Sequence, residues 1–329
     1  MEDFARLHSG FQWPNSDPYF TNHSMTECTL DFGLYPDHLK IDAGDITIRS
    51  LLDLETVVAE MRASTNVESD WVYAPAQPSR DSMTGVVLEK PYSARVFGLP
   101  KTHTIKHTKA DSQDHLTFHL WSLSFFTGLR LTATDAGFLD ATPLKPGTLV
   151  DFVLLGGGLP SSIELAEQFW RDNAANPRQT QRFAAAVHAF FLAQCPLSLQ
   201  FERFLYLYTA LDACYALASS ASPPSRRIPH AERTAWMCQH FGMPVPDWAD
   251  PNAVSGAEVA IIRNDAVHEA LYMDEPLGFA LHGVGTNQNL TLELEALVCR
   301  LLVALIGGRS ADYIHTPVNT RQRHGLRLN

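Results

Sequence analysis

The residues best suited to chemistry in this sequence fall within a single hexapeptide, RNDAVH, as Arg263, Asn264 and His268. An arginine side chain keeps its proton in proteins and matches two phosphate oxygens at once. Histidine titrates near neutral pH and can accept or donate a proton. A phosphate-binding cation beside a proton-transferring imidazole is the minimum equipment for cleaving RNA without a metal ion.

The hexapeptide lies in a predicted helix over residues 255–273, with Ser255 as N-cap and Glu258 three positions later. One stripe of this helix is apolar and is predicted to face the core: Val259, Ile262, Ala266 and Ala270. Asn264 and His268 share a different, more exposed face. Arg263 and His268 lie about 140° apart around an ideal helix. We therefore predict that they are not direct neighbours, and that Arg263 curls toward His268 or acts with the partner helix of a dimer.

Two hydrophobic patterns divide the chain. Up to residue 155, short β-branched and aromatic runs, LTFHLWSLSFF among them, predict strands, with one helix near LLDLETVVAEMRAS. Beyond Pro160 the period becomes helical and predicts six helices with short loops, the first capped by Ser161 with Glu164. We predict an α+β multidomain chain, with a β-rich domain over residues 1–155 and an all-α up-and-down bundle over 160–308.

Composition limits the classes of function. A chain of 329 residues exceeds the size of one typical core, which favours two domains. The net charge of −11 argues against broad nucleic-acid binding, so any RNA must meet a few well-placed arginines. No apolar run is long enough to cross a membrane, and the N-terminus lacks the regions of a signal peptide. We expect a cytoplasmic protein whose five scattered cysteines are buried free thiols.

The last segment, residues 309–329, is a basic tail with Arg321, Arg323 and Arg327. We expect it to be a solvated chain end, the alternative being an arm that contacts RNA.

Two His-x3-His pairs are the remaining candidates for ligand chemistry: His103 with His107, and His115 with His119. On a helix such spacing suits zinc, whereas in a strand the two side chains lie about 13 Å apart. The β-branched residues around the first pair favour a strand. The histidines are therefore expected to be solvated or core residues, and the sequence assigns no metal ligand and no cofactor.

The C-terminal half, over about residues 160–308, resembles a HEPN domain of the ApeA-like type, found in bacterial abortive-infection and other anti-phage proteins. The family signature is Arg, a polar residue, three further residues and His, which here is RNDAVH. The upstream helix RFLYLYTALDACYAL is also similar to the family, with Asp212 where an acidic residue is common. Glu269 follows the histidine where the family often has glycine, which puts the local turn in question.

The resemblance implies a HEPN-type bundle and a metal-independent endoribonuclease, a toxin or anti-phage effector that works as a homodimer with both motifs lining one cleft. His268 would activate the ribose 2′-OH or protonate the 5′-oxygen, and Arg263 would stabilise the transition-state charge. Asn264 would orient either group, while Asp212 would hold Arg263 or fix the imidazole tautomer. RNA would be left with a 2′,3′-cyclic phosphate.

The N-terminal domain would then sense a phage or cellular trigger, gate the cleft or present RNA. Two other readings stay open. The chain could be a non-catalytic HEPN module that binds RNA or a protein partner. Alternatively, the β-rich half binds a small ligand while the helical half only dimerises.

Overall fold

A computed structural model describes residues 28–90, 97–133, 141–254, 256–269, 271, 273–274, 280–281, 290–320 and 322–328. The predicted N-cap Ser255, the stripe residue Ala270 and the tail residue Arg321 lie outside these ranges. Across the described ranges, no helix is both long and apolar enough to span a bilayer.

Eight α-helices lie in the described ranges. They are α1 (Leu54–Ala63), α2 (Gln113–Thr127), α3 (Gly158–Asp172), α4 (Arg178–Leu192), α5 (Gln200–Ala221), α6 (His230–Phe241), α7 (Glu258–Asn264) and α8 (Leu290–Leu305). The helix near LLDLETVVAEMRAS and six helices after Pro160 are found, but the one predicted over residues 255–273 is shorter: α7 begins at Glu258, after Ala257 as N-cap, and Met273 is in a strand. The predicted cap is wrong, because α3 begins at Gly158 and places Ser161 and Glu164 inside the helix.

Thirteen short strands are found in the described residues. They are β1 (Cys28–Phe32), β2 (Lys40–Ala43), β3 (Ile46–Ser50), β4 (Val67–Glu68), β5 (Trp71–Tyr73), β6 (Gln77–Arg80), β7 (Val87–Lys90), β8 (His103–His107), β9 (Ala141–Pro143), β10 (Phe152–Leu154), β11 (Met273–Asp274), β12 (Ala280–Leu281) and β13 (His324–Leu326). The largest sheet is antiparallel, in the order β1-β8-β3-β2. Helices and strands together give the mixed α+β class predicted from the sequence.

The run LTFHLWSLSFF is helical rather than extended, which corrects the strand prediction. It forms α2, whose N-cap Ser112 accepts a hydrogen bond from the His115 amide through Oγ at 3.3 Å. The helix ends at Gly128, a residue in the left-handed region. Most of α2 is buried, because the four-stranded sheet, α3 and α4 all contact it. A helix that is apolar all round has no amphipathic period to reveal it.

One large core crosses the boundary expected near residue 155. In it, Phe118 and Phe125 of α2 pack in the same buried cluster as Phe183 and Phe190 of α4. A smaller cluster joins the four-stranded sheet to the other side of α2, with Ile48 and Leu120 among its members. The predicted boundary therefore does not separate two cores. Of the five cysteines, all free, four are buried as expected: Cys195, Cys214, Cys238 and Cys299.

The C-terminal segment is packed rather than solvated, which corrects the expectation of a frayed end. Strand β13 pairs in parallel with β10, and Leu326 is fully buried. Tyr313 also lies in the large core, with 1% of its surface exposed. These buried apolar side chains hold the C-terminal segment against the core, while the Arg323 and Arg327 side chains of the same segment are exposed.

Gly128 is a position where the fold requires glycine. Its φ is +60°, and an added Cβ would lie 2.7 Å from Gly147 Cα and 2.7 Å from Val150 Cγ2. Gly44 has a similar φ of +58°, but none of the described atoms would lie within 4 Å of an added Cβ. Gly44→Ala is therefore expected to cost only the backbone penalty of about 1 kcal/mol, and Gly128→Ala about 1–3 kcal/mol more. Chemical denaturation of both variants measures the difference, and equal losses would contradict the packing argument.

Candidate functional site

Arg263 and His268 meet directly within one chain. Arg263 Nη1 donates to His268 Nε2 over 2.5 Å and to Asn264 Oδ1 over 3.0 Å. The contact is possible because α7 ends at Asn264 and residues Asp265–Glu269 form a π-helical turn. A π-turn is wider than an α-turn, so residues five positions apart lie on the same side. The prediction that the two side chains are not direct neighbours is therefore wrong.

The faces of this helix follow the sequence pattern. Val259 and Ile262 are buried, as predicted for the core stripe, whereas Ala266, on the π-turn, is only half-buried. Asn264 and His268 are exposed, as expected for the other face. The site is consequently open to a ligand from solvent while its backbone is held by the core.

Asp212 lies on α5 and pairs with Arg233 of α6, rather than with Arg263 as predicted. Arg233 Nη1 donates to Asp212 Oδ1 over 2.9 Å and to His230 Nδ1 over 3.0 Å. Because α6 packs against α5, the Arg233 guanidinium lies between the carboxylate and the imidazole. Asp212 thus acts on the tautomer of His230, through Arg233, and not on that of His268.

Tyr208 of α5 connects the two halves of this group. The Arg263 guanidinium carbon lies 5.8 Å from the Tyr208 ring centroid, and Tyr208 Oη lies 3.4 Å from His230 Nδ1. Burial, reinforced by the Asp212 charge, raises the pKa of Tyr208 to about 12. The phenol therefore keeps its proton at neutral pH. We call Tyr208, Asp212, His230, Arg233, Arg263, Asn264 and His268 the arginine–histidine site.

Tyr208, Arg233 and His230 are the members of this site that the sequence did not identify, and His230 adds a second imidazole to it. That histidine stands at the start of α6 and has no motif spacing to Arg263, since the fold alone brings the two segments together. Burial lowers the pKa of His230, and the charges of Arg233 and Arg263 lower it further against the opposing effect of Asp212. A neutral ring that accepts a hydrogen bond at Nδ1 carries its proton on Nε2. His230 is thus a neutral hydrogen-bond donor.

The chemistry available to the arginine–histidine site follows from these groups. Two guanidinium groups and a single carboxylate make it suited to an anion, and arginine matches phosphate oxygens well. His268 Nε2 already accepts a hydrogen bond, so it carries a lone pair that can take a proton. The groups of this site are thus of the kinds suited to binding an anion and to transferring a proton.

A second group of polar side chains is buried between the sheet and the helices. His107 of β8 and His115 and His119 of α2 direct their Nε2 atoms at Glu167 Oε2 of α3, at 3.3, 2.7 and 3.0 Å. We call these four residues the histidine–glutamate cluster. The prediction that His103 and His107 lie on a strand is confirmed. His115 and His119 instead lie on a helix, where they are close to His107. His103 lies elsewhere, with its Nε2 3.0 Å from Ser50 Oγ.

The Glu167 carboxylate is the charged centre of this cluster. Burial alone would raise the pKa of Glu167, but hydrogen bonds from the three histidines outweigh it and hold that pKa far below its usual range. Burial lowers the pKa of His119, against the effect of Glu167. The carboxylate is therefore ionised, and Nε2 of each histidine is within hydrogen-bonding distance of it.

Comparison with known proteins leaves the chain without an assigned relative: it matches no family model, no curated protein and no solved structure.

Proposed function

We propose that this protein is a metal-independent endoribonuclease of HEPN type, with its catalytic centre at the arginine–histidine site. The observation that supports this function best is the 2.5 Å contact between Arg263 Nη1 and His268 Nε2 on an exposed surface. It joins the phosphate-binding group to the proton-accepting group. Helices α3 to α8 would form the up-and-down bundle that the HEPN resemblance implies.

Substrate binding would uncover the base. In the free enzyme, Arg263 occupies the Nε2 lone pair of His268. An RNA phosphate is a stronger partner for guanidinium than a neutral imidazole, because it is charged and accepts two hydrogen bonds. Transfer of Arg263 to the phosphate would free the lone pair at the moment the ribose arrives, with Asn264 orienting the displaced guanidinium.

The reaction would be an in-line displacement. His268 Nε2 removes the 2′-OH proton, the 2′-oxygen bonds to phosphorus, and the bond from phosphorus to the 5′-oxygen breaks. Arg263 stabilises the added negative charge, and the Nε2 proton of His230 bonds a non-bridging oxygen. The products are a 2′,3′-cyclic phosphate and a 5′-hydroxyl.

The leaving 5′-oxygen also needs a proton, and a neutral His230 is not an acid of adequate strength. We propose that a homodimer supplies it, with His268 of the partner subunit as the protonated acid. Each chain alone offers one exposed imidazole at this site, whereas two chains offer a base and an acid. Such an activity fits a toxin or anti-phage effector, which is the class that the resemblance implies.

The function is tested with the purified full-length chain and mixed-sequence RNA in the presence of EDTA. We expect cleavage to products with 2′,3′-cyclic phosphate ends, identified by mass spectrometry, and no cleavage of the same sequence as DNA, which lacks the nucleophile. Light scattering at the assay concentration should show a dimer. RNA binding without cleavage would instead identify a non-catalytic module, and cleavage of DNA would contradict the 2′-OH mechanism.

A further inference from the structure

The histidine–glutamate cluster has a role that the proposed RNA chemistry does not use. We propose that it is a structural metal site that binds one zinc ion through four side chains: His107, His115, His119 and Glu167. These residues come from β8, α2 and α3, so the ion would fasten the four-stranded sheet to two helices.

The spacing of the ligand atoms fits one ion. All four potential ligand atoms lie within 4.8 Å of one another. Zinc bonds nitrogen at about 2.0–2.1 Å and carboxylate oxygen at about 2.0–2.2 Å, so the ligand atoms of a tetrahedral site are about 3.3–3.5 Å apart. The Oε2 to Nε2 distances of 2.7–3.3 Å would need to widen by at most about 0.8 Å, and ligand pairs spread as far as 4.8 Å would need to close by up to about 1.5 Å, as the ion draws the side chains around itself.

The ligand set and its burial point to the kind of site. Three imidazoles and one carboxylate suit a borderline divalent ion such as zinc, whereas magnesium and calcium prefer oxygen ligands alone. The side chains of His107 and His119 are fully buried, and those of His115 and Glu167 are 4% and 14% exposed. Four protein ligands in a closed environment are typical of structural zinc, since a catalytic ion keeps one position open.

Neighbouring side chains orient the ligands. Arg171 bonds Glu167 Oε1 at 2.6 Å, which leaves Oε2 for the ion. The Trp170 ring stacks on His115 at 4.6 Å and 9°, and its Nε1 donates to Asp111 Oδ2 over 3.1 Å. Asp111 Oδ1 in turn lies 3.4 Å from His115 Nδ1. A carboxylate near the outer nitrogen of a metal-binding histidine is the usual arrangement, because it favours the tautomer that coordinates through Nε2.

Each of the three histidines donates its Nε2 proton to Glu167 in the metal-free protein and would have to give that proton up to coordinate an ion, and for His107 the consequence can be followed. The Lys109 amide donates to His107 Nδ1 over 3.0 Å, so the neutral metal-free ring holds its proton on Nε2. Coordination through Nε2 moves that proton to Nδ1 and breaks the bond to Lys109. Zinc binding should therefore change the environment of the Lys109 amide, which distinguishes binding in this cluster from adventitious binding at a surface histidine.

The test uses untagged full-length protein, since an added histidine tag would bind zinc itself. We expect about one zinc per chain by mass spectrometry after removal of loose metal, and an increase in melting temperature of about 4 °C or more when zinc is returned to chelator-treated protein. Cobalt in place of zinc should give the visible absorption of a tetrahedral ion with nitrogen and oxygen ligands. Wild-type protein that takes up no stoichiometric zinc and gives no such spectrum would overturn the proposal.

Variants locate the ion. His119→Gln and Glu167→Gln should each abolish stoichiometric zinc and the response of the melting temperature, while His188→Gln should keep both. His188 is a matched control because it is half-buried and stacks on Trp121 outside the cluster. Folded His119→Gln protein, verified by circular dichroism, that still bound one zinc would show that the ion lies elsewhere. If these variants fail to fold, the wild-type uptake and the cobalt spectrum decide the question.

Discussion

Alanine in place of His268 is expected to lower the rate of RNA cleavage by about 10²–10⁴-fold, the range that a general base contributes. Arg263→Ala should cause a loss of about 10²–10³-fold, because the transition-state charge is left without its main partner. Arg263→Lys should recover little, since an ammonium keeps the charge but lacks the planar fork that bonds two phosphate oxygens. The measurement is single-turnover cleavage of labelled RNA at fixed pH.

The controls separate chemistry from structure. Val267→Ala alters an exposed apolar residue on the same π-turn, and His38→Ala removes an exposed histidine far along the sequence. Both variants should cleave RNA at close to the wild-type rate. Because His268 is exposed, His268→Ala should also melt close to the wild type. Undiminished cleavage by the Arg263→Ala, His268→Ala double variant would remove this site from the mechanism.

Methionine in place of Arg300 is expected to lower the free energy of unfolding by about 3–5 kcal/mol, the cost of breaking a buried ion pair from one side. Arg300 lies on α8 with 1% of its side chain exposed, and its Nη1 donates to Asp151 Oδ2 over 2.7 Å. Its Nη2 donates to Thr316 Oγ1 at 2.8 Å and to the Pro317 carbonyl at 3.1 Å. The substitution would leave the Asp151 carboxylate without its cation, with the Tyr313 hydroxyl as its remaining hydrogen-bond donor, and would release the C-terminal segment from α8.

Denaturant titration with a matched control checks this expectation. Arg62→Met removes an exposed arginine from α1 and should change stability by no more than about 0.5 kcal/mol. Adding Asp151→Asn to Arg300→Met should restore part of the loss, because the uncompensated charge is then gone. If Arg300→Met were as stable as Arg62→Met, the buried pair would not hold the C-terminal segment in place.

The sequence predicted those elements whose signals are local. Among the helices after Pro160, α3 and α4 have a clear amphipathic period, and breakers mark helix ends, such as Gly242, which ends α6 in the left-handed region. Helix α2 has neither a period of two nor one of 3.6, because it is buried almost all round, so its apolar run was taken for a strand. Strand β13 pairs with β10, which is far from it in the sequence, and no local sequence pattern predicts that pairing.

The same distinction applies to the two polar groups. Arg263, Asn264 and His268 were identifiable because they share one hexapeptide. The π-turn that brings Arg263 to His268 was not, because no simple sequence pattern predicts a π-turn. His230 and the Asp212–Arg233 pair belong to other helices. In the histidine–glutamate cluster, Glu167 is 60 positions from His107. Only the fold makes them neighbours.

The core that crosses residue 155 has a consequence for regulation. A fragment beginning after that residue would lose Phe118 and Phe125, which share a buried cluster with Phe183 and Phe190. A change in activity of such a fragment would reflect the loss of packing among the remaining helices, and not the removal of an inhibitory N-terminal domain. A signal received by the first half would therefore reach the proposed RNA site as a small displacement through shared side chains, because the two halves share one core and do not separate.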